Sequence, residues 1–89
     1  MSIPPQSDLD KMVLGEGNGC LDLNRFWRNA MRVRLGQHTA HYYLRLRYTI
    51  GGHVANSYEA IAYSTHLTVN EVTELVIRAI TIMRHKQNG

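Results

Sequence analysis

Residues Ser57 to His85 read SYEAIAYSTHLTVNEVTELVIRAITIMRH, and no other stretch constrains the fold as strongly. It encodes two helices joined by a tight turn, the second longer than the first. Ser57 is expected to cap the first helix, because its hydroxyl oxygen can accept from an orphan backbone N–H. Tyr58, Ile61 and Ala62 then fall at i, i+3, i+4 and give that helix an inner face. Thr68-Val69-Asn70-Glu71 is a capping box and opens the second helix. Behind it Val72, Leu75, Val76, Ala79, Ile80 and Met83 recur at three- and four-residue spacing, one apolar stripe along the helix. Ser64, Thr65, His66 and Leu67 stand between the caps, the length of a helix-turn-helix turn. His66 replaces the glycine usual there and is expected to take a left-handed or near-left-handed backbone. Ala62 allows a close helix crossing, while Leu67 and Val72 are placed to close the core between the helices. An αα-hairpin that never meets nucleic acid has the same spacing.

Two more helices are expected upstream. Asp22 to Leu35 has Asp22 as its cap and Gly36 as its stop. Leu23, Phe26, Trp27, Ala30 and Met31 share one face, and Arg25, Arg28 and Arg32 line the other. The adjacent Phe26 and Trp27 are expected as core anchors. Thr39 to Thr49 follows, capped by Thr39 and stopped by Gly51-Gly52. Ala40, Tyr43 and Leu44 line one side of it. Tyr42, Leu46 and Ile50 make it apolar elsewhere, the mark of deep burial or of a binding surface. The expected fold is therefore all-α, a four-helix domain over residues 21–86. A flexible segment over residues 1–20 precedes it, in which the apolar patch Met12, Val13 and Leu14 could dock or form a turn of helix, and a frayed tail over residues 87–89 follows.

The segment from about His41 to His85 resembles region four of bacterial sigma factors, the part that reads the promoter's upstream element. Ser57-Tyr58-Glu59-Ala60-Ile61-Ala62 matches that family's helix opening, and Leu67-Thr68 matches the turn exit. Val72, Leu75, Ala79, Ile80, Met83, Arg84 and His85 match its long helix without a gap. Upstream, Tyr43-Leu44-Arg45-Leu46-Arg47-Tyr48-Thr49-Ile50-Gly51 resembles the preceding helix, with its Leu-Arg-basic-aromatic-Gly ending. The resemblance implies promoter contact by the second helix of the motif. It also implies a concave apolar side that holds the flap tip of RNA polymerase, here Leu44, Tyr48, Ile61, Leu75 and Ala79. Small phage-type regulators, including antiterminators with sigma-like helices, fit the same outline.

The chain departs from that family where the family touches DNA. Sigma factors place Arg, Glu, Arg and Gln in the first turns of the reading helix; here stand Val69, Asn70, Glu71, Thr73 and Glu74, and no Lys or Arg occurs from Gly51 to Ile77. A groove helix without cations forgoes the phosphate attraction that supplies most DNA affinity. Asn70 can still pair with adenine, Glu71 or Glu74 with cytosine N4, and Thr73 with a base or phosphate. The cations lie upstream: six arginines and no acid from Arg25 to Arg47. Arginine suits phosphate or carboxylate forks, although a solvated face with snorkelling stems has the same composition.

Other chemistries find little support. Gly15-Glu16-Gly17-Asn18-Gly19 lacks the Lys-Ser/Thr of a phosphate loop and reads as a linker. His38 and His41 have no third ligand at a recognisable spacing, so no metal site is expected. One cysteine, Cys20, excludes an intrachain disulfide. No nucleophile–base pair or paired carboxylate suggests an enzyme, and no cofactor is expected. No apolar run reaches the roughly 18 residues of a membrane span, nor is a signal peptide evident, so a cytoplasmic location is expected.

The function expected is transcription regulation, with a sigma-like helix-turn-helix that contacts promoter DNA and/or RNA polymerase. Its DNA-facing residues are expected to be His66, Thr68, Asn70, Thr73 and Arg78, with Arg45 and Arg47 from the preceding helix. The alternative is a protein-interaction module — a polymerase-binding inhibitor, antiterminator or appropriator — that does not itself read DNA. Duplex DNA is the expected partner, with RNA polymerase or a second copy of the chain as further candidates and no membrane.

Overall fold

The computed structural model describes residues 5–17 and 19–88, with side chains through residue 87. The looseness expected of residues 1–4, 18 and 89 lies outside the described residues. Five helices and one short hairpin make up the described chain: α1 (Asp8–Leu14), α2 (Leu23–Ala30), β1 (Arg34–Leu35), β2 (His38–Thr39), α3 (Ala40–Arg47), α4 (Tyr58–Thr65) and α5 (Val69–Asn88). The fold is mostly helical, as expected, but a fifth helix and a two-stranded sheet qualify the all-α, four-helix outline.

α5 is the axis of the molecule, and α1, α3 and α4 all pack against it. Its stripe Val72, Val76, Ala79, Ile80 and Met83 is buried. Leu75 lies at the stripe's edge, half-buried against the core. The box that starts the helix is made in both directions: the Glu71 N–H donates to Thr68 Oγ1 at 3.1 Å, and the Thr68 N–H donates to Glu71 Oε1 at 3.3 Å. At the other end α5 continues through Asn88, so Gln87 and Asn88 are helical rather than a frayed tail.

The turn before α5 forms around His66, at φ 61°, ψ 28°. It is the one non-glycine residue with positive φ among those described. The Leu67 N–H donates to the Ala62 carbonyl at 3.2 Å, which closes the end of α4 and turns the chain. Ala62 and Val72 are buried between the helices. Leu67, expected to close that core, is 37 % exposed and sits on its rim instead. The left-handed residue directs the chain outward before Thr68 starts the next helix.

The N-terminal stretch corrects the expectation of a loose segment over residues 1–20. Ser7 caps α1 in a full capping box with Asp10. Leu9 and Val13, one turn apart, are buried in the common core. Asp10 is also buried, and it is satisfied there: one carboxylate oxygen accepts from the Ser7 N–H at 3.0 Å and the other from the Leu21 N–H at 3.1 Å. The helix is pinned further by Leu9 N–H to the Gly52 carbonyl at 2.9 Å and by Val54 N–H to Asp8 Oδ2 at 2.9 Å. Arg84 Nε, from the far end of α5, donates to the Met12 carbonyl at 3.1 Å.

α2 is shorter than the expected span Asp22 to Leu35. Asp22 does cap it, accepting from the Arg25 N–H at 3.3 Å. After Ala30 the helical bonds tighten into i→i+3 turns, and residues 34–39 form an antiparallel hairpin pairing Arg34 with Thr39 and Leu35 with His38. Gly36, expected as a helix stop, instead occupies the first position of the two-residue hairpin loop at φ 66°, a conformation that glycine favours there. Phe26 and Trp27 are core anchors, and Trp27 Nε1 donates to the Ile50 carbonyl at 2.8 Å. Met31 is exposed at the helix end. Thr39 caps α3, which ends at Arg47 because Tyr48 turns extended and bridges to Val54.

Candidate functional site

The first turns of α5 present Thr68, Asn70, Glu71 and Glu74 to solvent, while one face of the same helix is buried from Val72 to Met83. The expected DNA-facing residues divide on this helix. His66, Thr68 and Asn70 are exposed. Thr73 is half-exposed, but its hydroxyl donates to the Val69 carbonyl at 2.8 Å, so only its lone pairs and methyl remain for a ligand. Glu71 is held in the cap, and Arg78 pairs with Glu74 at 3.5 Å.

Arg45 and Arg47 stand apart from that surface in role. Arg47 Nη1 donates to the Asn56 carbonyl at 2.9 Å, and its guanidinium lies 4.0 Å from the centroid of the Tyr58 ring. Its own backbone carbonyl accepts from the Ala55 N–H at 2.8 Å. Arg47 therefore clamps the link between α3 and α4, and its Nε is buried without a partner. Arg45 Nε donates to the Tyr48 carbonyl at 3.3 Å, with its guanidinium 5.9 Å from the Trp27 ring. Arg47 is committed to this clamp, whereas Arg45 is exposed and held through its Nε alone.

The expected partner face is corrected more sharply. Leu44, Tyr48, Ile61 and Ala79 are all buried in the core. The side chains that the resemblance assigned to a concave docking side are consumed by α3, α4 and α5 packing on one another. Of that set only Leu75 reaches a surface.

Leu75 opens onto a groove that spacing did not reveal. A cavity of about 300 Å³ lies between the hairpin and α3 on one wall and the α4–α5 turn on the other. Tyr42, Tyr43, Leu46, Leu67, Val72 and Leu75 supply most of its apolar lining, with Gln37, His38 and Thr65 as polar contributors. His38 stacks on Tyr42 at 3.8 Å between ring centroids, 15° from parallel. The apolar character of α3 beyond its core face was the one sign of this groove in the sequence. The opposite wall, Thr65 and Leu67 of the α4–α5 turn with Val72 and Leu75 of α5, is set against α3 only by tertiary packing.

Among the described residues no group of three His, Cys, Asp or Glu side chains could hold a metal ion. His41 lies 5.4 Å from Trp27 in an edge contact. Burial, and secondarily the Arg45 charge, holds its pKa below the ordinary imidazole value. Among the described residues, no helix is long and apolar enough to cross a membrane.

The fold defines a small, mostly helical domain in which a capped turn presents the start of a long central helix. No protein-family model, curated protein or solved structure matches the chain.

Proposed function

We propose that this protein is a transcription regulator whose helix-turn-helix, α4 and α5, contacts promoter DNA. The observation that carries this reading is the exposed opening of α5, braced by α4 across a left-handed turn and anchored through the rest of its length. A helix held in this way can enter a major groove by its N-terminal turns without unfolding its own core. Asn70 is the main candidate reader, since its amide can pair with adenine through both donor and acceptor. Thr73 adds an acceptor or a methyl contact. Thr68 and His66 lie where a flanking phosphate passes.

Selection from randomised duplexes tests the reading. Asn70→Ala is expected to relax preference at one adenine position, with a discrimination loss of about 1–3 kcal/mol. Unchanged preference would exclude α5 as the reader.

The groove at Tyr42, Leu46, Leu67 and Leu75 favours a second reading, in which the chain binds RNA polymerase as an inhibitor, antiterminator or appropriator and does not read DNA. Co-purification of polymerase that is lost in Leu75→Asp, with no duplex binding at low salt, would select it.

A further inference from the structure

The eight arginines fall into two sets by what their guanidinium groups touch. Arg45, Arg47, Arg78 and Arg84 are engaged, with the Tyr48 carbonyl, the Asn56 carbonyl, the Glu74 carboxylate and the Met12 carbonyl respectively. Arg25, Arg28, Arg32 and Arg34 are exposed, and their side chains have no hydrogen-bond or ion-pair partner among the described residues. These four follow one another along α2, its closing turn and β1. No acidic residue lies between Arg25 and Arg47.

From this partition we infer that Arg25, Arg28, Arg32 and Arg34 form the phosphate-gripping surface for duplex DNA. The inference rests on the DNA reading of α5 and supplies what that helix lacks. The hairpin that carries Arg34 places Gln37 and His38 across the groove from Thr65 and Leu67, at the turn that leads into α5. A polyanion that reaches the start of α5 therefore passes beside the hairpin. The two lysines are less well placed: Lys11 is on α1, and Lys86 lies 17 residues along α5 from its start, about 25 Å at the helical rise. Guanidinium groups recognise phosphate oxygens through paired N–H donors. A series of cations uninterrupted by acid suits the uniform charge of a phosphate backbone better than the discrete carboxylates of an acidic peptide.

Fluorescence anisotropy on a random-sequence duplex, between 50 and 200 mM salt, tests this assignment. Four phosphate contacts contribute about −3.6 to the slope of log affinity against log salt, an affinity drop of about 150-fold over that range. The quadruple variant R25Q/R28Q/R32Q/R34Q is expected to lose that contribution, and each single variant about one quarter of it. The quadruple Lys variant is expected to keep most of the slope, because charge rather than fork geometry sets counterion release. Single variants give the same answer should the quadruple Gln variant fold poorly. A wild-type slope left intact by the Gln substitutions would overturn the assignment and leave the α5 reading standing. A lost slope together with base preference indifferent to Asn70→Ala would support the arginine surface and overturn the α5 reading. Absence of duplex binding at 50 mM salt, or capture by polyglutamate in place of duplex, would overturn the assignment.

Discussion

Gly52 is the position where one added methyl group should do the most damage. It is buried at φ 87°, and its carbonyl accepts the Leu9 N–H. A Cβ built there would overlap Ser7 Oγ, the cap of α1, and would stand 3.0 Å from Ser7 Cβ and 3.3 Å from Leu9 Cβ. Gly52→Ala thus combines three costs. Positive φ in a non-glycine residue costs about 1–2 kcal/mol at this kind of position. Displacing the Ser7 cap costs about 1 kcal/mol. Crowding Leu9 in a filled core costs about 1 kcal/mol more. The expected loss is about 3–4 kcal/mol. Gly36→Ala is the matched control, since Gly36 also has positive φ, 66°, but a Cβ there meets nothing within 4 Å. It should lose only the backbone share, about 1–2 kcal/mol. Urea denaturation of both variants measures the difference, about 2 kcal/mol, or a separation of about 8–16 °C in Tm for a domain of this size. Faster amide exchange in α1 should accompany Gly52→Ala alone. Equal losses in the two variants would refute the reasoning, because they would mean that α1 is not seated against the loop at Gly52.

Two further outcomes are expected. His66→Gly should stabilise the fold by about 0.5–1 kcal/mol, because glycine removes the left-handed penalty at a small entropic cost; a lower denaturation midpoint would contradict the assigned turn. The folded state holds the His41 pKa below the ordinary imidazole value, so the stability tied to neutral His41 is complete above that ordinary value and is lost as pH falls through the folded-state pKa. Thermal melts between about pH 7.5 and 5 should show a decline that His41→Gln reduces, and an unchanged decline would assign it elsewhere.

Residues 57–85 were legible because their information is local. A cap and its partner lie three residues apart, an apolar stripe repeats every three or four, and His66 tolerates the one left-handed turn. The sequence carried comparable signals for α1, in Ser7 and Asp10 at capping spacing and Leu9 and Val13 one turn apart, but the prolines and the short length obscured them. The hairpin was masked by Gly36, since the same positive φ that ends a helix also turns two strands.

Local order therefore established the helix starts, the turn and the core stripe of α5. Tertiary packing decided which apolar and basic residues were left over for a partner. Leu44, Tyr48, Ile61 and Ala79 match a docking face by resemblance, yet each is buried in the core. Arg45 and Arg47 look like Arg28 in sequence, yet Arg45 bonds the Tyr48 carbonyl and Arg47 bonds the Asn56 carbonyl and lies over Tyr58, while Arg28 faces water. Periodicity along a chain specifies which side chains share a face. Whether that face meets solvent, a carbonyl or another helix depends on contacts distant in sequence, which spacing does not encode.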